Sequence, residues 1–195
     1  MQSISVHKLE EALESGTSIL DCRPTSDFAS SHVPNSISNS INGFYEYMAT
    51  CLFDKKKPLI VIAEPGRKSE AILRLDIDGF TNLSFFDFEK WKSSGNPTSS
   101  IVRFSAKDTT AHLAKLKDVS NAEDWEVLHV KGVSSVPLID IVDNPDIITE
   151  GDVLYCAQGH KSMAAASFMA TKGVNVSDIM GGLSAMLVDA PDLEI

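Results

Sequence analysis

The sequence has few aromatic residues, few cysteines and a deficit of basic charge. Aromatic residues make up only 7% of the 195 residues, so a packed core must be mostly aliphatic. The three cysteines, Cys22, Cys51 and Cys156, are too few for a disulfide framework and favour a reducing, cytoplasmic setting. The 17 basic and 27 acidic residues give a net charge of -10, which argues against nucleic acid or an anionic membrane as a partner.

Long apolar runs and metal-binding patterns are also missing. The longest apolar runs, such as residues 59–63, have the length of a strand and are too short to cross a bilayer. The start of the chain has no basic region followed by an apolar stretch, so we expect no signal peptide. The histidines are scattered without the spacing of metal ligands. We therefore expect no metal. We expect no organic cofactor either.

A stretch rich in Ser, Gly and Pro over residues 93–100 divides the chain into similar halves. This composition is typical of a linker and predicts two domains, residues 1–95 and 103–195. Residues 59–69 align with residues 152–162, and each segment reads as a short apolar strand, a loop with one glycine, and Lys-Ser at the start of a helix. The alternation of strands and helices predicts an α/β fold, with a small parallel sheet flanked by helices in each half.

The earlier part of each half has a similar pattern. In the first half, residues 6–16 predict a helix and residues 18–22 a strand. In the second half, residues 106–117 predict a helix and residues 125–130 a strand. The period of the repeat is about 93 residues, which indicates a tandem duplication of one small domain.

Cys156 is the candidate nucleophile. It directly follows the apolar strand of the second half and precedes a predicted helix at residues 163–171. The carboxyl end of a parallel strand is where open α/β sheets bind ligands, and a helix N-terminus there favours an anion such as a thiolate. The predicted anion-binding residues are those that run from the cysteine into the helix: Ala157, Gln158, Gly159, His160, Lys161 and Ser162.

The segment from Cys156 to Lys161 resembles the active-site loop of rhodanese-type sulfurtransferases, which runs six residues from a nucleophilic cysteine to a basic residue. Residues 19–24, 27–28, 32–34 and 37 resemble the strand and loop that begin a rhodanese domain, and residues 180–186 resemble the paired glycines and helix that close one. The tandem arrangement is similar to the two rhodanese repeats that follow a metallo-β-lactamase-type domain in persulfide-processing fusion proteins. The resemblance implies two rhodanese-like domains.

Each half departs from this family pattern. Ala63 occupies the position of the nucleophile in the first half, which predicts a catalytically silent domain, and Asp87 and Phe88 replace the paired glycines there. In the second half, we expect His129 to stand in the place of the usual aspartate, and the loop that follows reads as deleted. The loop ends in Lys161, where the family has arginine.

The resemblance implies sulfur transfer from thiosulfate or a persulfide to a thiol or cyanide acceptor, through a persulfide on Cys156. The expected partners are a small sulfur-containing anion and a thiol acceptor, which includes a protein thiol or a fused or separate persulfide-processing domain. The sequence leaves open the donor, the acceptor, the oligomeric state, and whether the chain is one module of a fusion.

Three other functions share features with this sequence. A Cys-loop phosphatase has a loop one residue longer that ends in arginine, and Cys156 to Lys161 does not fit it. A phosphate-binding P-loop needs a glycine directly before the lysine and a second one earlier, and both are absent. The third alternative, an inactive rhodanese-like interaction or regulatory module, stays open, because one half lacks the cysteine and the other departs from the pattern.

Overall fold

The computed structural model describes residues 3–195. It divides into two compact units, one that ends at Ser100 and one that begins at Ile101. Each unit contains a parallel β-sheet accompanied by helices. The predicted fold class, α/β with a small parallel sheet flanked by helices in each half, is confirmed.

The first unit contains a four-stranded sheet in the order β2-β1-β3-β4. One of its two inner strands, β3, has the sequence Leu-Ile-Val-Ile, and all four residues are buried, as expected for a parallel strand covered on both faces. The elements of this unit are α1 (Val6–Glu14), β1 (Ser18–Asp21), α2 (Thr25–Ser30), β2 (Ser36–Ser38), α3 (Tyr45–Leu52), β3 (Leu59–Ile62), α4 (Lys68–Ile77), β4 (Leu83–Phe86) and α5 (Phe88–Ser93).

The second unit contains a five-stranded sheet in the order β5-β9-β8-β6-β7, with all neighbours parallel. Two 3₁₀ helices, Ala106–Lys115 and Pro145–Ile147, lie between its other elements. Those elements are β5 (Arg103–Phe104), β6 (Leu116–Asp118), α6 (Ala122–Val127), β7 (Ser134–Ser135), α7 (Leu138–Asp143), β8 (Val153–Tyr155), α8 (His160–Thr171), β9 (Ser177–Ile179) and α9 (Gly182–Asp189).

The helix predicted over residues 106–117 is a 3₁₀ helix that ends at Lys115, and the strand predicted over residues 125–130 is wrong. Residues 125–130 do not form a strand, because residues 122–127 form helix α6, in which Val127 is 83% exposed. The acidic residues Glu123 and Asp124 lie in the first turn, where the positive end of the helix dipole stabilises their negative charge. The strand is instead β6, at the end of the segment predicted as a helix.

Helix α8 is the most deeply buried helix among the described residues. Every residue from Lys161 to Met169 is buried, and five of these nine are alanine or serine. Small side chains let a helix approach the sheet closely, and α8 contacts β8, β9 and α7. The first turn of α8 is therefore held rigidly against the carboxyl end of β8.

No helix in the described part of the chain has the length and apolar character of a membrane span.

Candidate active site

Cys156 directly follows β8, and its thiol is nearly buried, with 3% of the residue exposed. Helix α8 begins at His160, three residues earlier than the sequence predicts. Gly159 makes this early start possible, because it adopts φ 83°, a left-handed conformation that favours glycine. The backbone N–H of Gly159 then donates a hydrogen bond to the Cys156 sulfur, with N and Sγ 3.2 Å apart. The sulfur therefore lies at the N-terminus of a buried helix and accepts a backbone donor.

The paired glycines Gly181 and Gly182 hold the cysteine loop in place. Both have positive φ, 73° and 58°, and a Cβ on Gly182 would lie 1.9 Å from the Cys156 carbonyl oxygen. This close approach lets the N–H of Leu183 donate to the Cys156 carbonyl at 2.9 Å, and the N–H of Ser184 to the Ala157 carbonyl at 3.0 Å. The glycine pair thus allows helix α9 to pack directly on the backbone of the loop.

A line of polar side chains continues from the sulfur into the sheet. The Ser162 hydroxyl lies 3.8 Å from the Cys156 sulfur and donates to Asp178 Oδ2 at 3.4 Å. Arg103 donates to both carboxylate oxygens of Asp178, from Nε at 2.8 Å and from a terminal nitrogen at 2.9 Å. Asp178 is fully buried, and burial raises its pKa, an effect that the Arg103 guanidinium opposes.

The other predicted site residues lie in different environments. Ala157 and Gln158 are exposed at the turn of the loop. Lys161 is buried inside the first turn of α8, and its ammonium donates to the Asp124 carboxylate on α6 at 3.2 Å. His160 is half-buried; burial lowers its pKa, as does the nearby Arg103 guanidinium. His160 is therefore neutral at pH 7, and the charge of Lys161 faces a carboxylate.

The second unit keeps an aspartate in the position where the sequence predicts His129. Asp118 ends β6 as Asp21 ends β1. Each carboxylate accepts a hydrogen bond from the backbone N–H two residues later, from Ser120 at 2.8 Å and from Arg23 at 3.1 Å. The expectation that His129 stands in the place of this aspartate is therefore wrong.

His129 instead matches His32 of the first unit. Each imidazole stacks on an aromatic ring four residues earlier, His32 on Phe28 and His129 on Trp125, with ring centroids 3.9 Å apart in both cases. Each Nδ1 is hydrogen-bonded to the carbonyl of that aromatic residue. The segment between β6 and β7 is therefore present and carries the same aromatic–histidine turn, so the expected deletion of this loop is wrong.

The corresponding turn of the first unit lacks a nucleophile. Ala63 follows β3 and is buried, and Gly66 has φ 88°. Helix α4 begins at Lys68, one residue later in the repeat than α8. The Arg67 guanidinium is bound to Glu70 and Asn42. The turn is built in the same way as the Cys156 turn, but it contains no thiol that could carry a persulfide.

Sequence reasoning missed Arg103, Asp178 and Asp124. Arg103 and Asp178 are 75 residues apart in the sequence, and only the pairing of β5 with β9 places them opposite each other. The one available signal was a charged residue inside each of two short strands. The sequence gives no signal for Asp124, whose carboxylate is half exposed and binds Lys161. No three His, Cys, Asp or Glu side chains within residues 3–195 are grouped so that they could hold a metal ion.

Comparison with known proteins gives one family match. Residues 5–94 match the family model of the rhodanese-like domain. No curated protein matches the sequence significantly. The match covers the unit that carries Ala63 and ends before the unit that carries Cys156.

Similar solved structures include the Alr3790 protein from Anabaena sp., with 26% identity over 51% of this chain and 83% of that chain and a TM-score of 0.47. Thiosulfate sulfurtransferase from Pseudomonas aeruginosa is 15% identical over 100% of this chain and 43% of that chain, with a TM-score of 0.46. A variant of EanB in complex with ergothioneine is 13% identical over 97% of this chain and 61% of that chain, with a TM-score of 0.49. All three TM-scores are below 0.5, so these similarities assign neither chemistry nor substrate. What the family match does show is that residues 5–94 are similar to a rhodanese-like domain.

Proposed function

We propose that the chain is a sulfurtransferase of the rhodanese type. In this proposal, Cys156 takes sulfane sulfur from thiosulfate or a low-molecular-weight persulfide and passes it to a thiol or to cyanide. Two findings support it: the rhodanese-like domain of residues 5–94, and the repeat of its strand–loop–helix turn in the second unit, with cysteine in the position of Ala63. The first unit contributes structure and no turnover.

The observation that carries the proposal is the hydrogen bond from the Gly159 N–H to the Cys156 sulfur at the start of α8. A backbone donor and the positive end of a helix both stabilise negative charge on sulfur. The thiolate attacks the outer sulfur of thiosulfate, the S–S bond of the donor breaks, and sulfite leaves with the electron pair. An acceptor thiolate or cyanide then attacks the outer sulfur of the persulfide and regenerates the Cys156 thiolate.

The loop suits one added sulfur better than a phosphoryl group. Only residues 157–159 separate Cys156 from the first residue of α8. A phosphoryl group in transfer needs donors for three equatorial oxygens, and a lysine cannot clamp two of them at once as arginine can. The Lys161 ammonium is moreover directed at Asp124. We therefore propose a small sulfur-containing anion as donor, in a reducing cytoplasmic setting, with a small or protein thiol as acceptor.

An interaction module is the second candidate function, and one observation favours it. Cys156 is 3% exposed, so a donor must reach the sulfur through an opening beside the exposed residues Ala157 and Gln158. If this loop does not open, the turn serves only as scaffold.

Mass spectrometry after incubation with thiosulfate separates the candidates. We expect the protein to gain the mass of one sulfur on the peptide that contains Cys156, and cyanide to release that sulfur as thiocyanate. Cys156→Ser should gain none. Release of phosphate from an aryl phosphate that depends on Cys156, without a persulfide, would contradict sulfur transfer. Absence of any adduct, with Cys156 inert to alkylation, would support the interaction module.

A further inference from the structure

The buried ion pair of Arg103 and Asp178 lies behind the nucleophile, and the proposed chemistry does not require it. Asp178 on β9 faces Arg103 from β5 and Ser162 from α8, while its neighbour in the sheet register on β8 is the apolar Leu154. His160 also lies within electrostatic reach of Arg103. The Arg103 guanidinium therefore balances the charge of the Asp178 carboxylate, and the Ser162 hydroxyl lies between that carboxylate and the Cys156 sulfur.

The first unit shows that the fold does not need this pair. Leu154 of β8 pairs with Asp178, and the equivalent strand β3 pairs Val61 with Phe85 in the same register. Phe85 is buried, and its neighbour on the far side is Ser3. Replacing a buried ion pair by apolar residues often leaves stability unchanged or raises it. The pair therefore has a role particular to the unit that contains Cys156.

Ser162 has a single hydroxyl proton and two neighbours that compete for it. Asp178 Oδ2 is 3.4 Å from the hydroxyl oxygen and the Cys156 sulfur is 3.8 Å from it. A carboxylate oxygen is the stronger acceptor and is also the nearer one, so the proton points to Asp178. Ser162 then presents a lone pair to the sulfur, which suits a thiol S–H and opposes a thiolate.

We propose that Asp178 is a positioning residue that restrains Cys156, because it keeps the Ser162 hydroxyl proton away from the sulfur. Formation of the thiolate sends the thiol proton to solvent and favours rotation of the Ser162 hydroxyl toward Sγ, at the expense of its bond to Asp178. Protonation of Asp178 removes the competition, since the carboxylic acid then donates to the Ser162 oxygen. The proposal rests on the proposed function only in naming Cys156 as the nucleophile.

Alkylation of Cys156 by iodoacetamide tests this without any sulfur transfer. The rate is followed by peptide mapping between pH 5 and 10 in the wild type, Asp178→Asn, Ser162→Ala and the double variant. An amide at position 178 is uncharged and is a weaker acceptor than the carboxylate, so the Ser162 hydroxyl can turn to the sulfur. We expect Asp178→Asn to alkylate about tenfold faster at pH 7, the effect of one hydrogen bond to a charged group, with the half-maximal rate at lower pH.

The double variant isolates the path through Ser162. In the Ser162→Ala background, we expect Asp178→Asn to change the rate by less than about twofold, because no hydroxyl remains to be turned. An equal acceleration in both backgrounds would mean that the charge of Asp178 acts directly, and would overturn the proposal. A slower or unchanged rate in Asp178→Asn would overturn it as well.

One further variant controls for the loss of a buried carboxylate, and a second serves if Asp178→Asn does not fold. Asp152→Asn changes another buried aspartate, which binds Thr149 at the opposite end of β8, and should alkylate at the wild-type rate. If Asp178→Asn is unfolded by circular dichroism, the combined variant Arg103→Ser with Asp178→Phe installs the residues of the first unit and should also alkylate faster. A thiosulfate experiment without an adduct would reject the proposed function and leave this rate comparison unaffected.

Discussion

The two units place the same turn at the same end of a parallel strand, but they fill it with different residues. After β3 the turn has Ala63, Pro65 and Gly66, whereas after β8 it has Cys156, Gln158 and Gly159. Proline removes one of the backbone N–H groups that an anion could use. The difference shows that the backbone of the turn keeps its fold in the first unit, where the cysteine is absent.

The closing contacts differ as well. Gly182 in the second unit lets the backbone of α9 approach the Cys156 carbonyl. The first unit has Phe88 at the start of α5, where its ring packs against the Arg23 guanidinium, with Cζ 3.7 Å from the ring centroid. One unit thus fixes the cysteine loop through backbone contacts, while the other packs large side chains at the corresponding place.

Transfer of the cysteine to the first unit is the most severe test of this comparison. We expect Cys156→Ser to abolish persulfide formation, and the double variant Ala63→Cys with Cys156→Ser to remain inactive. Pro65 lacks a donor, and helix α4 begins one residue later in the repeat than α8, which leaves fewer helix N–H groups near position 63. The measurement is formation of thiocyanate from thiosulfate and cyanide. Recovery of most of the wild-type rate by the double variant would show that the first turn is competent and only lacks its sulfur.

The glycine pair predicts a large and local loss of stability. A methyl group on Gly182 would overlap the Cys156 carbonyl, so we expect Gly182→Ala to lower the free energy of unfolding of the second unit by about 3 kcal/mol or more. Gly173→Ala is the matched control, since Gly173 has φ 78° but open space around it, and it should cost only about 1–2 kcal/mol.

Urea denaturation followed by Trp125 fluorescence, in a Trp91→Phe background, reports on the second unit because each unit contains one tryptophan. Equal losses for Gly182→Ala and Gly173→Ala would contradict the assigned contact between α9 and the loop.

The sequence predicts the site residues that lie close together along the chain and misses those that are far apart in it. Cys156, Gly159 and the Gly181-Gly182 pair lie in short segments whose patterns are visible along the chain. The repeat located Cys156 and Gly159, and the resemblance to rhodanese domains located the glycine pair. The Arg103–Asp178 pair was not predicted, because it depends on the register of two short parallel strands. Helix α6 was missed since an apolar, β-branched stretch was read as a strand, although Val127 faces solvent.

The thiols of Cys22 and Cys156 should differ strongly in reactivity. Cys22 follows β1 as Cys156 follows β8, but burial and the Asp21 carboxylate raise the pKa of Cys22 to about 12. We expect iodoacetamide at pH 7.5 to label Cys156 at least about 100-fold faster than Cys22, since only the thiolate reacts. Peptide mapping after limited alkylation measures both rates. Preferential labelling of Cys22 or Cys51 in the folded protein would contradict the assignment of Cys156 as the reactive thiol.

The smallest effect concerns the aromatic–histidine turn that both units share. His32 stacks on Phe28 and is buried, and burial lowers its pKa below 6.5. The unfolded chain then takes up a proton at a higher pH than the folded unit does, so the unfolding free energy of the first unit falls as the pH drops below about 6.5. The slope cannot exceed about 1.4 kcal/mol per pH unit for one histidine.

His32→Gln keeps a donor for the Phe28 carbonyl but does not titrate. Urea denaturation at pH 7 and pH 5.5, followed by Trp91 fluorescence in a Trp125→Phe background, should therefore show a smaller loss of stability for His32→Gln than for the otherwise identical protein with His32. Other titrating groups contribute equally to both proteins and cancel in this difference. Identical losses would mean that His32 is protonated in the folded unit as readily as in the unfolded chain, and that its stacked position in the turn does not depend on a neutral ring.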